Sequence, residues 1–166
     1  MPDFSKEFVK FQPLFGALGK IVYLWANIEM SLDFYICAIF FHFDRKNIAD
    51  KLEIPRTLNM KLKFLKKSFR NIPQLTPFKD LMLPLIQQIA DLSKNRHDII
   101  HGALAGIKPN SYKFAKFDHG KQLRDLNVRF VTFTIDDLHQ LGNKMKGLVD
   151  ALNAFDAIFL VMYSLH

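Results

Sequence analysis

The chain has 166 residues, of which 49% are hydrophobic and 23% charged, and its formal net charge is +7 at pH 7. This length fits one domain over residues 1–166, and the apolar content argues against an intrinsically disordered chain. The excess of positive charge favours encounters with polyanions such as RNA, DNA or anionic lipid, and does not choose among them.

Cysteine usage and the N-terminal sequence indicate a cytoplasmic protein. Cys37 is the only cysteine, which excludes an intrachain disulfide and a cysteine-based zinc cluster, and we expect its thiol to pack in the core. The first residues, MPDFSKEFVKF, include acids and lack the basic start of a secretory signal. The apolar stretch 14–43 is interrupted too often for bilayer insertion, so no membrane partner is expected; the interrupting residues are Lys20, Asn27, Glu29 and Asp33.

The first predicted helix runs from about residue 14 to residue 43. Apolar side chains recur along it at spacings of three and four, which is the helical period: Leu18, Ile21, Trp25, Ile28, Leu32, Tyr35 and Ile39. Because other apolar residues widen this stripe, the helix should be covered on much of its circumference, either by the rest of a bundle or by a second subunit.

The second predicted helix follows Pro55, with Thr57 as its N-cap. It should bury Leu58, Leu62, Leu65 and Phe69. The rest of its surface is strongly basic, and no acid lies in the same window; the cations we single out are Lys61, Lys63, Lys66, Lys67 and Arg70. These residues form either a solvated helix face or a nucleic-acid contact surface.

A third helix over about residues 78–101 and a last helix from residue 136 or 137 to about 163 complete the predicted bundle. Three segments between them, GALAGI, YKFAKF and VRFVTFTI, read as short strands, with DHGKQLRDL as an exposed loop. The expected fold is therefore mainly α, with four long helices, short helices and a small antiparallel β insertion at about residues 103–135 before the last long helix.

The third helix ends in NRHDIIHG, residues 95–102, which combines an arginine and two histidines with a glycine that is typical of a helix stop. On a helical wheel Arg96 falls in the middle of the apolar stripe of this helix, where a guanidinium is costly unless an anionic partner, an ordered polar site or a water-filled groove receives it. That stripe consists of Leu81, Leu85, Ile89, Leu92 and Ile99. His97 and His101 are one turn apart. Two other interpretations stay open: a basic last turn that only complements the helix dipole, and a metal site built on the two histidines.

The pattern of Arg96, a polar residue, three further residues and His101 resembles the R-polar-x-x-x-H motif of the HEPN family, the "higher eukaryotes and prokaryotes nucleotide-binding" domains. In that family the motif ends the third core helix of a small bundle, is often followed by glycine and precedes another long helix, an order this chain repeats over most of its length. The β insertion departs from the minimal bundle. Ala103 stands where several toxin members have a tyrosine that a partner enzyme modifies.

The resemblance implies a metal-independent endoribonuclease without a cofactor, commonly a homodimer whose paired motifs form one cleft. Such proteins often act as toxins or defence effectors, which adds an antitoxin protein to RNA as an expected partner. By resemblance the catalytic residues are Arg96, His97 and His101, while Glu29 and Asn95 are candidate supporting residues.

The chemistry asked of these residues is cleavage of RNA by its own 2′-hydroxyl. One histidine takes the 2′-hydroxyl proton, a second protonates the leaving 5′-oxygen, and the arginine stabilises charge on the phosphate. Such a reaction would leave a 2′,3′-cyclic phosphate and spare DNA. The alternative is a noncatalytic module that binds RNA, a nucleotide or a protein through the same groove.

Overall fold

The computed structural model describes residues 4–43, 53–119 and 126–164, and it confirms the expected fold class. These residues form four α-helices, one 3₁₀ turn and a three-stranded antiparallel sheet before the last helix. In chain order they are α1 (Phe4–His42), α2 (Leu58–Asn71), the 3₁₀ turn (Thr76–Phe78), α3 (Lys79–Ile100), β1 (Ala103–Lys108), β2 (Ser111–His119), β3 (Leu126–Thr134) and α4 (Ile135–Ser164).

Most predicted helix boundaries are confirmed to within a few residues, because capping residues mark them. The hydroxyl of Thr57 accepts a hydrogen bond from the amide of Met60, as expected of the N-cap of α2. The start of α1 is the exception: the helix begins at Phe4, and Pro13 lies inside it. A proline removes one backbone donor from a helix without always ending it.

The chain divides into two compact units, and α1, α3 and α4 each contribute a part to both. The sheet unit comprises Met1–Leu24 and Leu92–Met145, and the helical unit comprises Trp25–Asp91 and Lys146–His166.

The sheet unit is organised by two antiparallel pairings in the order β1-β2-β3. Tyr112 and Phe114 of β2 are buried, and because side chains alternate along a strand, Lys116 lies on the same face. The pairing places Arg129 of β3 directly opposite Lys116. The other face is exposed and partly apolar, with Phe117, Val128 and Phe130 on it. Residues 120–125 of the predicted loop lie outside the described residues, and β2 and β3 include its two ends.

The helical unit has an aromatic core. Tyr35 of α1 is fully buried and makes edge contacts with Phe155 and Phe159 of α4. Its hydroxyl hydrogen-bonds the carboxylate of Asp156. Burial, reinforced by that carboxylate, raises the pKa of Tyr35 well above its usual range.

Two predictions about individual residues are wrong. Cys37 is exposed and does not pack in the core. Leu81 is 47% exposed, while Met82 and Ile86 are buried, so the buried stripe at the start of α3 is rotated from the one predicted. The second error arises because the period of a helix locates a stripe, but its neighbours decide which edge of that stripe is covered.

The long apolar helix is largely a core element. Six of the seven stripe residues predicted for α1 are buried, and Leu18 is half-buried. Phe11–His42 is the one described segment long and apolar enough, by length and composition, to cross a membrane. More than half of its most apolar window is buried inside the structure, and core helices of soluble proteins give the same signal.

Candidate functional site

The candidate site lies where α3 ends and β1 begins, and close packing explains why the helix stops there. The amide of His101 donates to the carbonyl of His97 at 3.1 Å, one residue beyond the last helical residue. A Cβ on Gly102 would lie 2.5 Å from the carbonyl oxygen of Asp98 and 3.0 Å from Cβ of Phe114. None of the described glycines has positive φ. Gly102 is therefore required for this close approach to β2, not for a left-handed turn.

The two histidines of the motif come together, as the helical spacing predicts. The ring centroids of His97 and His101 are 4.6 Å apart, with the rings tilted by 54°, and both side chains are exposed. Partial desolvation lowers the pKa of His97, and the charges of Lys116, His101 and Arg96 lower it further against the opposing effect of Asp98. These effects favour the neutral, proton-accepting form of His97.

Asp98 organises a cationic cluster that sequence analysis did not identify. Its carboxylate accepts two hydrogen bonds from the guanidinium of Arg129, at 2.5 and 3.0 Å, and one from Lys116 Nζ at 3.2 Å. These donors, with Arg129 first, hold the pKa of Asp98 below its usual range. Lys116 and Arg129 are 18 and 31 residues from Asp98 in sequence, on strands whose register the sequence does not fix.

Arg96 is half-buried, and its Nε atom is fully shielded from solvent. This agrees with its predicted position on the apolar stripe of α3. Its charge is also close enough to His97 to help lower the pKa of that imidazole. The guanidinium of Arg96 and the imidazole of His97 therefore belong to one electrostatic environment at the end of α3.

The two candidate supporting residues, Asn95 and Glu29, have surroundings that differ from those of His97 and His101. Asn95 points about 160° away from His97 around the helix axis. It lines a separate hollow of about 300 Å³ together with residues of β3 and α4, among them Phe133 and Gln140. Glu29 belongs to the helical unit, where it accepts a hydrogen bond from Trp25 Nε1 at 2.8 Å.

The five basic residues singled out on α2 separate into two groups. Lys61 forms an ion pair with Asp33 of α1, with Nζ 2.5 Å from Oδ1. The other four, Lys63, Lys66, Lys67 and Arg70, line a groove of about 690 Å³ in the helical unit.

The described residues include no group of three or more His, Cys, Asp or Glu side chains placed to hold a metal ion. Asp98, the residue of the motif that could have joined the two histidines as a ligand, is engaged with Arg129 and Lys116. The donor set at the end of α3 thus fits proton transfer and anion binding better than metal coordination.

Comparison with known proteins found no match for this chain among protein-family models, curated proteins or solved structures.

Proposed function

We propose that this protein is a metal-independent endoribonuclease of the HEPN type, with its active site at the end of α3. One observation carries the proposal: the ring centroids of two exposed imidazoles, His97 and His101, lie 4.6 Å apart, where partial desolvation and neighbouring cations lower the pKa of His97. A neutral imidazole beside a second one is the minimal equipment for general acid–base catalysis near neutral pH.

In the proposed reaction His97 accepts the proton of a ribose 2′-hydroxyl, and the 2′-oxygen attacks the adjacent phosphorus. The bond from phosphorus to the 5′-oxygen breaks, and His101 in its protonated form supplies the proton that this oxygen takes up. The products are a 2′,3′-cyclic phosphate and a free 5′-hydroxyl. Proton exchange with water then returns both imidazoles to their starting forms.

Arg96 has the role of stabilising the negative charge that grows on the phosphate oxygens. Lys116 adds positive potential at the same place, since its charge acts on His97. Arg96 and His101 are about 140° apart around the helix axis. We therefore propose a homodimer in which the arginine of one copy and the histidine of the other share one groove.

The test is cleavage of mixed RNA by the purified protein in excess EDTA. Wild type should cut, and His101→Ala, His97→Ala and Arg96→Ala should each lose roughly 10²-fold or more in rate with the fold intact by circular dichroism. His139→Ala and Arg56→Ala are matched controls, because both residues are exposed and lie outside the cluster. They should retain wild-type rates.

A modified substrate tests the identity of the nucleophile, and a mixture of two variants tests the shared groove. Replacing the 2′-hydroxyl at the cleaved position with hydrogen should abolish cutting, since the nucleophile is then missing. If the groove is shared, mixing the Arg96→Ala and His101→Ala variants should restore part of the activity, and wild type should elute as a dimer. A wild type that binds varied RNAs without cutting any of them would replace this proposal with the noncatalytic binding module.

The toxin or defence role follows from the same proposal. Expression of wild type should then arrest growth of the host cell, whereas His101→Ala should not. Arrest by both proteins would separate toxicity from catalysis and contradict this part of the proposal.

A further inference from the structure

The four cations of the α2 groove, Lys63, Lys66, Lys67 and Arg70, form one stripe along the helix. Their spacing is i, i+3, i+4 and i+7, so they share one face. This face is about 120° around the axis from the buried Leu62, Leu65 and Phe69, and about 170° from Lys61 with its partner Asp33. The stripe is therefore a surface distinct from both the packed face and the ion-paired face of α2.

The stripe concentrates like charge that the described groove does not neutralise. Lys63 with Lys67, and Lys66 with Arg70, are like-charged pairs at i, i+4, which destabilise a helix. The α3 side chain that contacts the stripe is the uncharged amide of Gln87. It accepts a hydrogen bond from Lys66 at 3.0 Å and donates one to Asp91 at 3.2 Å. No described residue lining the groove is acidic. A bound anion would relieve this repulsion.

The shape and length of the groove favour a strand of nucleic acid as that anion. From Lys63 to Arg70 the helix rises about 10 Å, which is long enough to follow consecutive phosphates of one strand. Asn59 and Asn71 lie in the same lining and offer amide groups to sugars and phosphates. A concave groove fits a bilayer surface less well than a convex basic helix with exposed apolar residues does.

We infer that the α2 groove is a second nucleic-acid site, which binds the phosphate backbone of a single strand without reading its sequence. The choice of RNA as the natural strand rests on the proposed function, while backbone binding itself does not require cleavage. Four cations should make that binding strongly dependent on salt. At about 0.7 counterions per contact, affinity should fall about 50-fold between 50 and 200 mM salt.

The experiment measures binding of a labelled 2′-deoxy oligonucleotide of about twelve nucleotides, which lacks the nucleophile for cleavage. The test variant replaces Lys63, Lys67 and Arg70 with Gln and leaves the Lys66–Gln87 bond in place. The matched control replaces Lys79, Lys108 and Lys146 with Gln, so that the change in net charge is the same. We expect the test variant to lose at least tenfold in affinity at 50 mM salt and its salt slope to fall by about 2, with the control near wild type.

Equal losses in the test and control variants would overturn the site, because net charge alone would then explain binding. Competition by polyglutamate as effective as that by unlabelled oligonucleotide, or stripe-dependent binding to phosphatidylserine vesicles without oligonucleotide binding, would overturn the choice of partner. RNA cleavage by wild type separates the two proposals. Stripe-dependent binding without cleavage contradicts only the proposed function, and cleavage with stripe-independent binding contradicts only this inference.

Discussion

Replacing Asp98 with Asn tests whether the cationic cluster is held together by one carboxylate. Asn keeps the shape of Asp but removes the charge, and one of its two polar groups becomes a donor that faces other donors. Lys116 and Arg129, directly opposite each other on β2 and β3, would then repel without compensation. The substitution should destabilise the fold and also change the electrostatics of His97.

The magnitude follows from the exposure of the three side chains. Asp98 and Lys116 are each 16% exposed, so their charge-assisted bond is well shielded and contributes about 1 to 1.5 kcal/mol. Arg129 is 44% exposed, and solvent screening reduces its two bonds to about 0.5 to 1 kcal/mol. The loss should be about 2 kcal/mol, which corresponds to a decrease in Tm of about 4 to 8 °C for a chain of this size.

The effect should depend on pH with a definite sign. The pKa of Asp98 is lowered in the folded state, so its stabilising contribution is complete above the unfolded-state pKa of about 3.9 and is lost as the pH falls through the lower folded-state value. Urea unfolding of wild type and Asp98→Asn should differ at pH 7 and converge in strong acid. Because the charge of Asp98 raises the pKa of His97, the variant should also show a lower His97 pKa by NMR titration.

The matched control is Asp150→Asn, which breaks an exposed i, i+4 pair with Lys146. That change should alter the free energy of unfolding by less than about 0.5 kcal/mol. If Asp98→Asn cost no more than this control, or if its effect persisted unchanged in strong acid, the carboxylate would not be what holds the cluster.

Three further predictions concern the site and its supports. Replacing Lys116 with Met removes a charge that lowers the pKa of His97, so the acidic limb of the pH–rate profile should move to higher pH; an unchanged limb would show that another group is the base. Gly102→Ala should destabilise by about 1 to 3 kcal/mol in thermal unfolding, because its Cβ would lie 2.5 Å from a backbone oxygen. Gly147→Ala, within α4 and with nothing within 4 Å of its Cβ, should instead stabilise by about 0.5 to 1 kcal/mol, and equal signs for the two glycines would contradict the packing argument. Thr134→Ala removes the hydroxyl that accepts from the amide of Asp137 at the start of α4 and should lower stability by about 1 kcal/mol, whereas Thr134→Ser should not.

The sequence by itself determined the kind and order of the secondary structure. Apolar spacing of three and four located the helices, and the cap residue Thr57 marked where α2 begins, because these signals act within one or two helical turns. The contact between His97 and His101 could be predicted for the same reason, since i and i+4 are neighbours on any α-helix. The start of α1 was predicted too late in the chain, because the helix runs through Pro13 to Phe4 and the apolar stripe alone does not mark where it begins.

Only the tertiary structure decided what surrounds the motif. The bonds that Asp98 makes to Lys116 and Arg129 depend on how α3 packs on the sheet and on the register of β2 with β3. A shift of one residue in that register would turn the side chains of one strand to the other face, and no local pattern excludes it. Likewise, the basic residues of α2 were visible in the sequence. Their division into Lys61, paired with Asp33, and a groove-lining stripe required the neighbouring helices, because charge pairing depends on distances in space.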